Sequence, residues 1–173
     1  MTPAPSVAPR PASLLAASLL AVLMTLGGCE KAPDAAPAAS AAPQGLTDAM
    51  CGACGMVVAE QPSPRGQLVY RDGHHVHACS LGDLALLVAS PSPHGKPVAV
   101  FVEPQDALPD PMAVDRAAQP QLAAASLHYV TGVQRRGIMG TPLLAFRDRA
   151  RAEAAARAHG GSVVDWARAS APR

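Results

Sequence analysis

The feature that most limits what this chain can fold into is the stretch from Glu30 to about Thr47, which is mostly Ala, Pro, Ser and Gly. Such a segment stays extended and solvated, so it reads as a tether that holds a folded part away from whatever lies before it. What remains, Asp48 to about Trp166, is enough for one modest domain or two very small ones. Aromatic residues make up 3% of the chain, so the core must be built from Val, Leu, Ala and Met, and marginal stability without a ligand is expected. Fourteen Lys and Arg against thirteen Asp and Glu leave a formal charge of +1, with the arginines scattered and no aromatic interleaving. That pattern offers no case for nucleic acid.

Ahead of the tether, residues 1–28 carry one Arg (Arg10), an apolar run from Leu14 to Leu26, and then Leu26-Gly27-Gly28-Cys29. The run is too short to span a bilayer and is followed by small residues, the pattern of an export signal. The tetrapeptide resembles a bacterial lipobox. It implies cleavage before Cys29, a diacylglycerol on the Cys29 thiol and a fatty acid such as palmitate on the new amino terminus. Two or more acyl chains hold a protein on a membrane. The expected location is therefore a lipid-anchored, periplasm-facing one, and Glu30 in place of Asp after the Cys points to the outer membrane. The organisation expected is signal 1–28, lipidated Cys and tether 29–47, a first unit 48–104, a connector 105–125 and a second unit 126–168.

The first unit opens on Met50-Cys51-Gly52-Ala53-Cys54-Gly55-Met56-Val57, two thiols and two thioethers in eight residues. In an extended segment, side chains at i and i+2 share a face, so Cys54 and Met56 can address one ion. Thiolate with thioether favours Cu(I), whereas zinc rarely takes a thioether. The plainer alternative is that Met56 packs while Cys51 and Cys54 form a redox or zinc pair. With Cys29 carrying lipid, Cys51, Cys54 and Cys79 are an odd number of thiols in an oxidising compartment, so one is left over. Both a Cys51–Cys54 and a Cys54–Cys79 disulfide are permitted.

Val57 to Ala59 reads as a short strand stopped by Gln61-Pro62-Ser63-Pro64. Asp72-Gly73 between the extended runs 66–71 and 74–79 is a hairpin signal. On the second arm His75, His77 and Cys79 fall on one face, where they would border a metal held by the sulfur motif; solvated polar histidines are the bland reading. Ser80 is an N-cap and Asp83 stands where a capping box would answer it, opening a helix with Leu81, Leu84, Leu87 and Val88 on one side and its end at Ser90-Pro91. The helix amino end should lower the pKa of Cys79. Pro97 to Val102 is a buried strand.

Residues 103–121 hold several prolines and read as connector. Strands over 126–133 and 142–147, a helix Arg149 to His159 capped by Asp148 and stopped by Gly160-Gly161, and a last strand 162–166 complete the chain. The fold class expected is α+β, two small ββαβ units packed as one domain. Between the second unit's first strands, Gly137 and Gly140 leave Met139 projecting from a turn, a third soft ligand or a core filler.

These motifs together resemble the NosL family, lipoproteins that supply copper to nitrous oxide reductase during its maturation. The likeness rests on the lipobox at Cys29, Cys54-Gly55-Met56-x-Val58, the hairpin entering Cys79-Ser80-x-x-Asp83-Leu84, and Tyr129-Val130 through Gly137-x-Met139-Gly140 to Ala145-Phe146 and His159-Gly160-Gly161. It implies two ββαβ units related to treble-clef folds and one Cu(I) per chain. Its likeliest ligands are Cys54 and Met56, completed by Met139 or a hairpin histidine, His77 before His75. It also implies a partner, nitrous oxide reductase or its membrane-bound maturation complex, and no enzymatic turnover. Around 112–118 the chain departs from the family, with Ala, Asp115 and Arg116 where a Trp and a short acidic helix are expected. Two rival readings stand beside it: a CxxC thiol oxidoreductase using Cys51 and Cys54, and a zinc knuckle closed by Cys51, Cys54, Cys79 and His77.

Overall fold

The computed structural model describes residues 41–138 and 140–172; the leader, Cys29 and Met139 lie outside the described residues. Strands β1 (Gly66–Tyr70) and β2 (His75–Ala78), helix α1 (Leu81–Ala89) and strand β3 (Pro97–Val102) form the first unit. A two-residue strand β4 (Leu122–Ala123) joins its edge, giving an antiparallel sheet in the order β2-β1-β3-β4. The second unit repeats the order with β5 (His128–Thr131), β6 (Leu143–Phe146), α2 (Arg149–His159) and β7 (Ser162–Val164), in a sheet β6-β5-β7. In both, the first strand sits centrally between its hairpin partner and the strand that returns after the helix. The α+β, twice-ββαβ architecture is therefore present in connectivity as well as in element order. A four-residue helix α3 (Trp166–Ala169), capped by Asp165, follows where strand was expected to continue.

The local reasons are those the residues carry. Gly73 takes φ +81° at the hairpin tip, a conformation that costs a side chain dearly, and the Asp72 carboxylate accepts from the His74 N–H at 3.0 Å. Ser80 Oγ accepts from the Asp83 N–H at 3.1 Å, which opens α1. The reciprocal half of a capping box is not made, because the Asp83 carboxylate is engaged by thiols. Asp148 accepts from the Ala150 N–H at 2.7 Å, and Gly160 stops α2 at φ +69°. Val57 to Ala59 is not a strand. Val57 forms one bridge to Met50, and the chain then turns through a 3-10 helix over Val58–Glu60.

Leu68, Leu84 and Val102 of the first unit pack with Tyr129, Leu143 and Ala145 of the second, so the two sheets share one core. Each such fully buried aliphatic side chain contributes about 1.5–3 kcal/mol. A second cluster lies beneath α2, where Ala152 and Ala155 let the helix approach Val130, Leu144 and Phe146 closely. A third joins Leu46, Cys51, Val58 and Cys79. Residues 44–47, expected as tether, are thus part of the fold: Leu46 is 6% exposed, and the Gln44 N–H donates to Gln67 Oε1 at 3.0 Å. One large apolar residue among Ala and Pro was enough to dock the segment.

Between β3 and β4, residues 103–121 form no strand or helix and are held by two buried arginines. Arg65 forms an ion pair with Glu103 at 2.7 Å and donates to the carbonyls of Ala59, Gln61, Arg116 and Ala117. Arg135 donates to the carbonyls of Ser63, Met112 and Ala113. These bonds replace the Trp and helix that the family resemblance led one to expect at 112–118.

Gly66 sits where β1 is squeezed between β3 and α1. A Cβ there would stand 2.6 Å from the Phe101 carbonyl oxygen and 2.7 Å from Leu84 Cδ2. Gly66→Ala should cost about 1–3 kcal/mol in chemical denaturation, since the strand must shift off the helix. A loss within 0.5 kcal/mol would mean that α1 yields freely.

Candidate metal centre

The sulfur motif is a tight turn rather than an extended segment. The Cys51 N–H donates to the Met56 carbonyl and the Gly55 N–H to the Cys51 carbonyl, both at 2.8 Å, with Gly55 at φ +74°. This loop is fastened to β2 through the Gly52 N–H and the His77 carbonyl, 2.8 Å apart. A Cβ on Gly52 would come within 2.6 Å of Val76 Cγ1, so the close approach requires glycine. The hairpin and the first turn of α1 then bring Cys79 and Asp83 to the same point.

Four donor atoms, the sulfurs of Cys51, Cys54 and Cys79 and a carboxylate oxygen of Asp83, lie within 4.8 Å of one another. Cys54 Sγ stands 3.5 Å from Cys79 Sγ, and Asp83 Oδ2 is 3.2 Å from Cys79 Sγ and 3.8 Å from Cys51 Sγ. All three thiols are free; Cys51 and Cys79 are 3% and 2% exposed, while Cys54 is open to solvent. Met56 packs against this group from the side of Leu46 and Val58. The cluster is a buried floor with one exposed thiol at its rim.

Its electrostatics differ from the sequence expectation. Burial and the hydrogen bond to the Asp83 carboxylate push the Cys79 thiol well above its ordinary pKa, outweighing the helix amino end. At Cys51 burial acts upward, but hydrogen bonding by the Cys79, Ala53 and Cys54 backbone N–H groups holds the thiol below its usual value. The Cys79 thiol thus keeps its proton and donates it to Asp83 Oδ2. Asp83 was read only as a helix residue; the clue was its place one helical turn after Cys79, the spacing at which two side chains meet.

His77 is outside the four-donor group, and the expected fourth member of a Cys-rich knuckle is Asp83 instead. The reason is register: β2 pairs His77 with Gln67, so the His77 side chain shares a sheet face with Gln67 and His75. His75 and His77 lie side by side there, ring centroids 6.3 Å apart. Burial lowers the pKa of both, so they are neutral at pH 7. His74 takes no part and stacks on His94 at 3.8 Å, with His94 bonded to Asp72 at 2.6 Å. Met139 is outside the described residues, but Gly140 beside it is close to Asp83: a Cβ on Gly140 would be 3.4 Å from Asp83 Oδ1.

The family model for NosL matches residues 44–171, nearly the whole described fold. The chain belongs to the NosL family. It is 30% identical over 161 residues to the copper-binding lipoprotein NosL of Stutzerimonas stutzeri, covering 86% of this chain and 77% of that protein. The fold is similar to the crystal structure of the copper chaperone NosL from Shewanella denitrificans, with a TM-score of 0.61 and 25% identity over 73% of this chain and 93% of that one. Within the NosL fold, the four-donor cluster is where the first ββαβ unit gathers its chemistry. No helix among the described residues is long and apolar enough to cross a membrane.

Proposed function

We propose that this chain is a lipid-anchored, periplasm-facing carrier that binds one Cu(I) at the rim of the sulfur cluster. It passes the ion to nitrous oxide reductase or to that enzyme's membrane-bound maturation complex. The observation that carries the reading is an exposed thiol, Cys54, 3.5 Å from the buried Cys79 thiol and in the same loop as the Met56 thioether. Cys54 and Met56 are the proposed copper ligands, with Met139 or a hairpin histidine, His77 before His75, as the third. An exposed, low-coordinate sulfur site suits delivery: an incoming ligand can bind before the departing one leaves. Anchoring through Cys29 fits the name of the Stutzerimonas relative, a lipoprotein.

Thiol oxidoreduction fits poorly, because the thiol with the lowered pKa is Cys51, which is buried, and a catalytic thiolate must be reachable. The test is transfer. Anaerobic mixing of the Cu(I)-loaded protein with metal-free nitrous oxide reductase, with and without its maturation complex, should build the enzyme's copper absorption bands. Copper that stays on the carrier under both conditions would refute delivery.

Zinc has a specific observation in its favour: three thiols and a carboxylate from a knuckle and a helix's first turn gather four donors within 4.8 Å of one another, the number a structural zinc takes. The pH dependence separates the two. Metal held by the full cluster must displace the proton that Cys79 keeps at neutral pH, so affinity falls as pH drops. The expected slope from pH 8 to pH 6 is about tenfold per pH unit for each proton released. A metal held through Cys54 and a thioether releases at most one. Titrations at several pH values, with a chelator correction, should show a steeper fall with pH for Zn(II) held by the full cluster than for Cu(I) held without Cys79.

A further inference from the structure

The formal charge of +1 conceals two poles of opposite sign. Residues 41–125 hold eight acidic side chains against four basic ones, whereas residues 126–172 hold seven arginines against three acids. The second sheet stands between the poles. Its strands alternate, so Tyr129 and Leu143 face the first unit while Val130 and Leu144 lie under α2. Helix α2 is therefore the outer wall of the domain, across that sheet from the unit that carries the sulfur cluster.

Ala152 and Ala155 of α2 point inward. The side turned to solvent carries Ala150, Ala154 and Ala158, with Arg149, Arg151 and Arg157 exposed around them. Arg147 stands exposed just before the helix. Of these four arginines only Arg149 is in an ion pair among the described residues, with Glu153 one turn on. Arg149 and Arg151 also occupy the first turn, where the helix dipole disfavours a cation. Nothing within the fold calls for so basic a face.

What the face can meet follows from what it lacks. Among the described residues the large apolar side chains left exposed are Met50, Leu86, Val98 and Val114, all before residue 126. The outer side of α2 thus offers no aromatic or aliphatic anchor of the kind on which a protein interface centres. Cations spread over small side chains fit a plane of phosphate groups instead, and the acidic first unit is repelled from the same plane.

We infer that α2 lies on the anionic phospholipid headgroups of the membrane and holds the first unit, with its exposed Cys54, out toward the periplasm. The inference rests on the proposed anchoring at Cys29 and adds the orientation of the anchored domain. The anchor alone does not supply it. The chain enters the fold at Gln44 and Leu46, and Leu46 packs against Cys51 and Cys79, so a lipid pulling from there draws the sulfur cluster toward the bilayer. Residues 30–43 reach at most about 50 Å, enough to pass round a domain whose expected radius of gyration is about 14 Å.

The test uses residues 29–173 with Cys29→Ser, which removes the lipid and leaves every charge in place. At about 0.05 M salt this chain should sediment with vesicles of phosphatidylcholine and phosphatidylglycerol but not of phosphatidylcholine alone, and about 1 M salt, with a screening length of about 3 Å, should release it. Arg147→Gln with Arg157→Gln should weaken binding about 25-fold, since each arginine at an anionic surface is worth about a factor of five. Arg71→Gln with Lys96→Gln removes the same charge from the first unit and should change binding by less than about twofold. On the lipidated chain, phosphatidylglycerol should slow amide hydrogen exchange in α2 and leave α1 and the sulfur loop unchanged. Equal losses from the two double variants, or protection of the sulfur loop instead of α2, would overturn the orientation. Binding to a polyglutamate matrix with none to phosphatidylglycerol vesicles would overturn it in favour of an acidic protein. A lipidated chain that fails to float with phosphatidylcholine vesicles would refute the Cys29 anchor alone, whatever the α2 variants show.

Discussion

Cys54→Ser should abolish the one tight Cu(I) equivalent, and Met56→Leu should weaken it by more than about a hundredfold, the upper range for losing only an outer partner of a ligand. Cys54 is the exposed thiol of the cluster and the member an incoming copper can meet first. Its serine variant keeps the Gly55–Cys51 turn, whose bonds are made by the backbone, so the loop should hold its shape. Met56→Leu keeps the packing against Leu46 and Val58 while removing the thioether. Zinc binding should survive the Leu substitution nearly unchanged, because zinc rarely takes a thioether ligand. The measurement is anaerobic competition against a calibrated Cu(I) chelator, with a parallel zinc titration. Copper affinity unchanged in the Met56 variant would remove Met56 from the ligand set, and tight zinc with no preference for copper would leave a zinc knuckle.

Arg65→Met should lower the unfolding free energy by about 3–5 kcal/mol, the range for breaking a buried ion pair by removing one partner. Arg65 and Glu103 are each 1% exposed. The Met variant strands a buried carboxylate and leaves the carbonyls of Ala59, Gln61, Arg116 and Ala117 without this donor. Replacing both partners, Arg65→Met with Glu103→Leu, should cost less than the sum of the single changes, because the stranded charge is gone. Urea denaturation of the three variants gives the cycle. Additive losses would show that the pair acts as two independent contacts. Ala59 and Gln61 follow the sulfur loop directly, so the same substitution should also loosen metal binding.

Element types and order were legible because they rest on local chemistry. Asp72-Gly73, Ser80, Asp148 and Gly160-Gly161 act within a few residues of themselves, and each turned or capped the chain where expected. The paired thiols of Cys51 and Cys54, with Met56 beside them, were legible for the same reason. Leu46 was not, since a single apolar residue signals nothing until Cys51, Val58 and Cys79 are seen to surround it.

By itself, then, the sequence determined the two ββαβ units through short-range rules of capping, turning and alternation, and it set the sulfur residues side by side; that they form a turn and not an extended segment was decided by the backbone bonds of Cys51 and Gly55. Only the tertiary structure decided that Asp83 and not His77 joins the three thiols, because that depends on how β2 registers against β1 and where the first turn of α1 points. It likewise decided that Cys79 holds its proton. Desolvation and a carboxylate 3.2 Å away outweigh a helix amino end, and neither burial nor that distance is written in the order of residues.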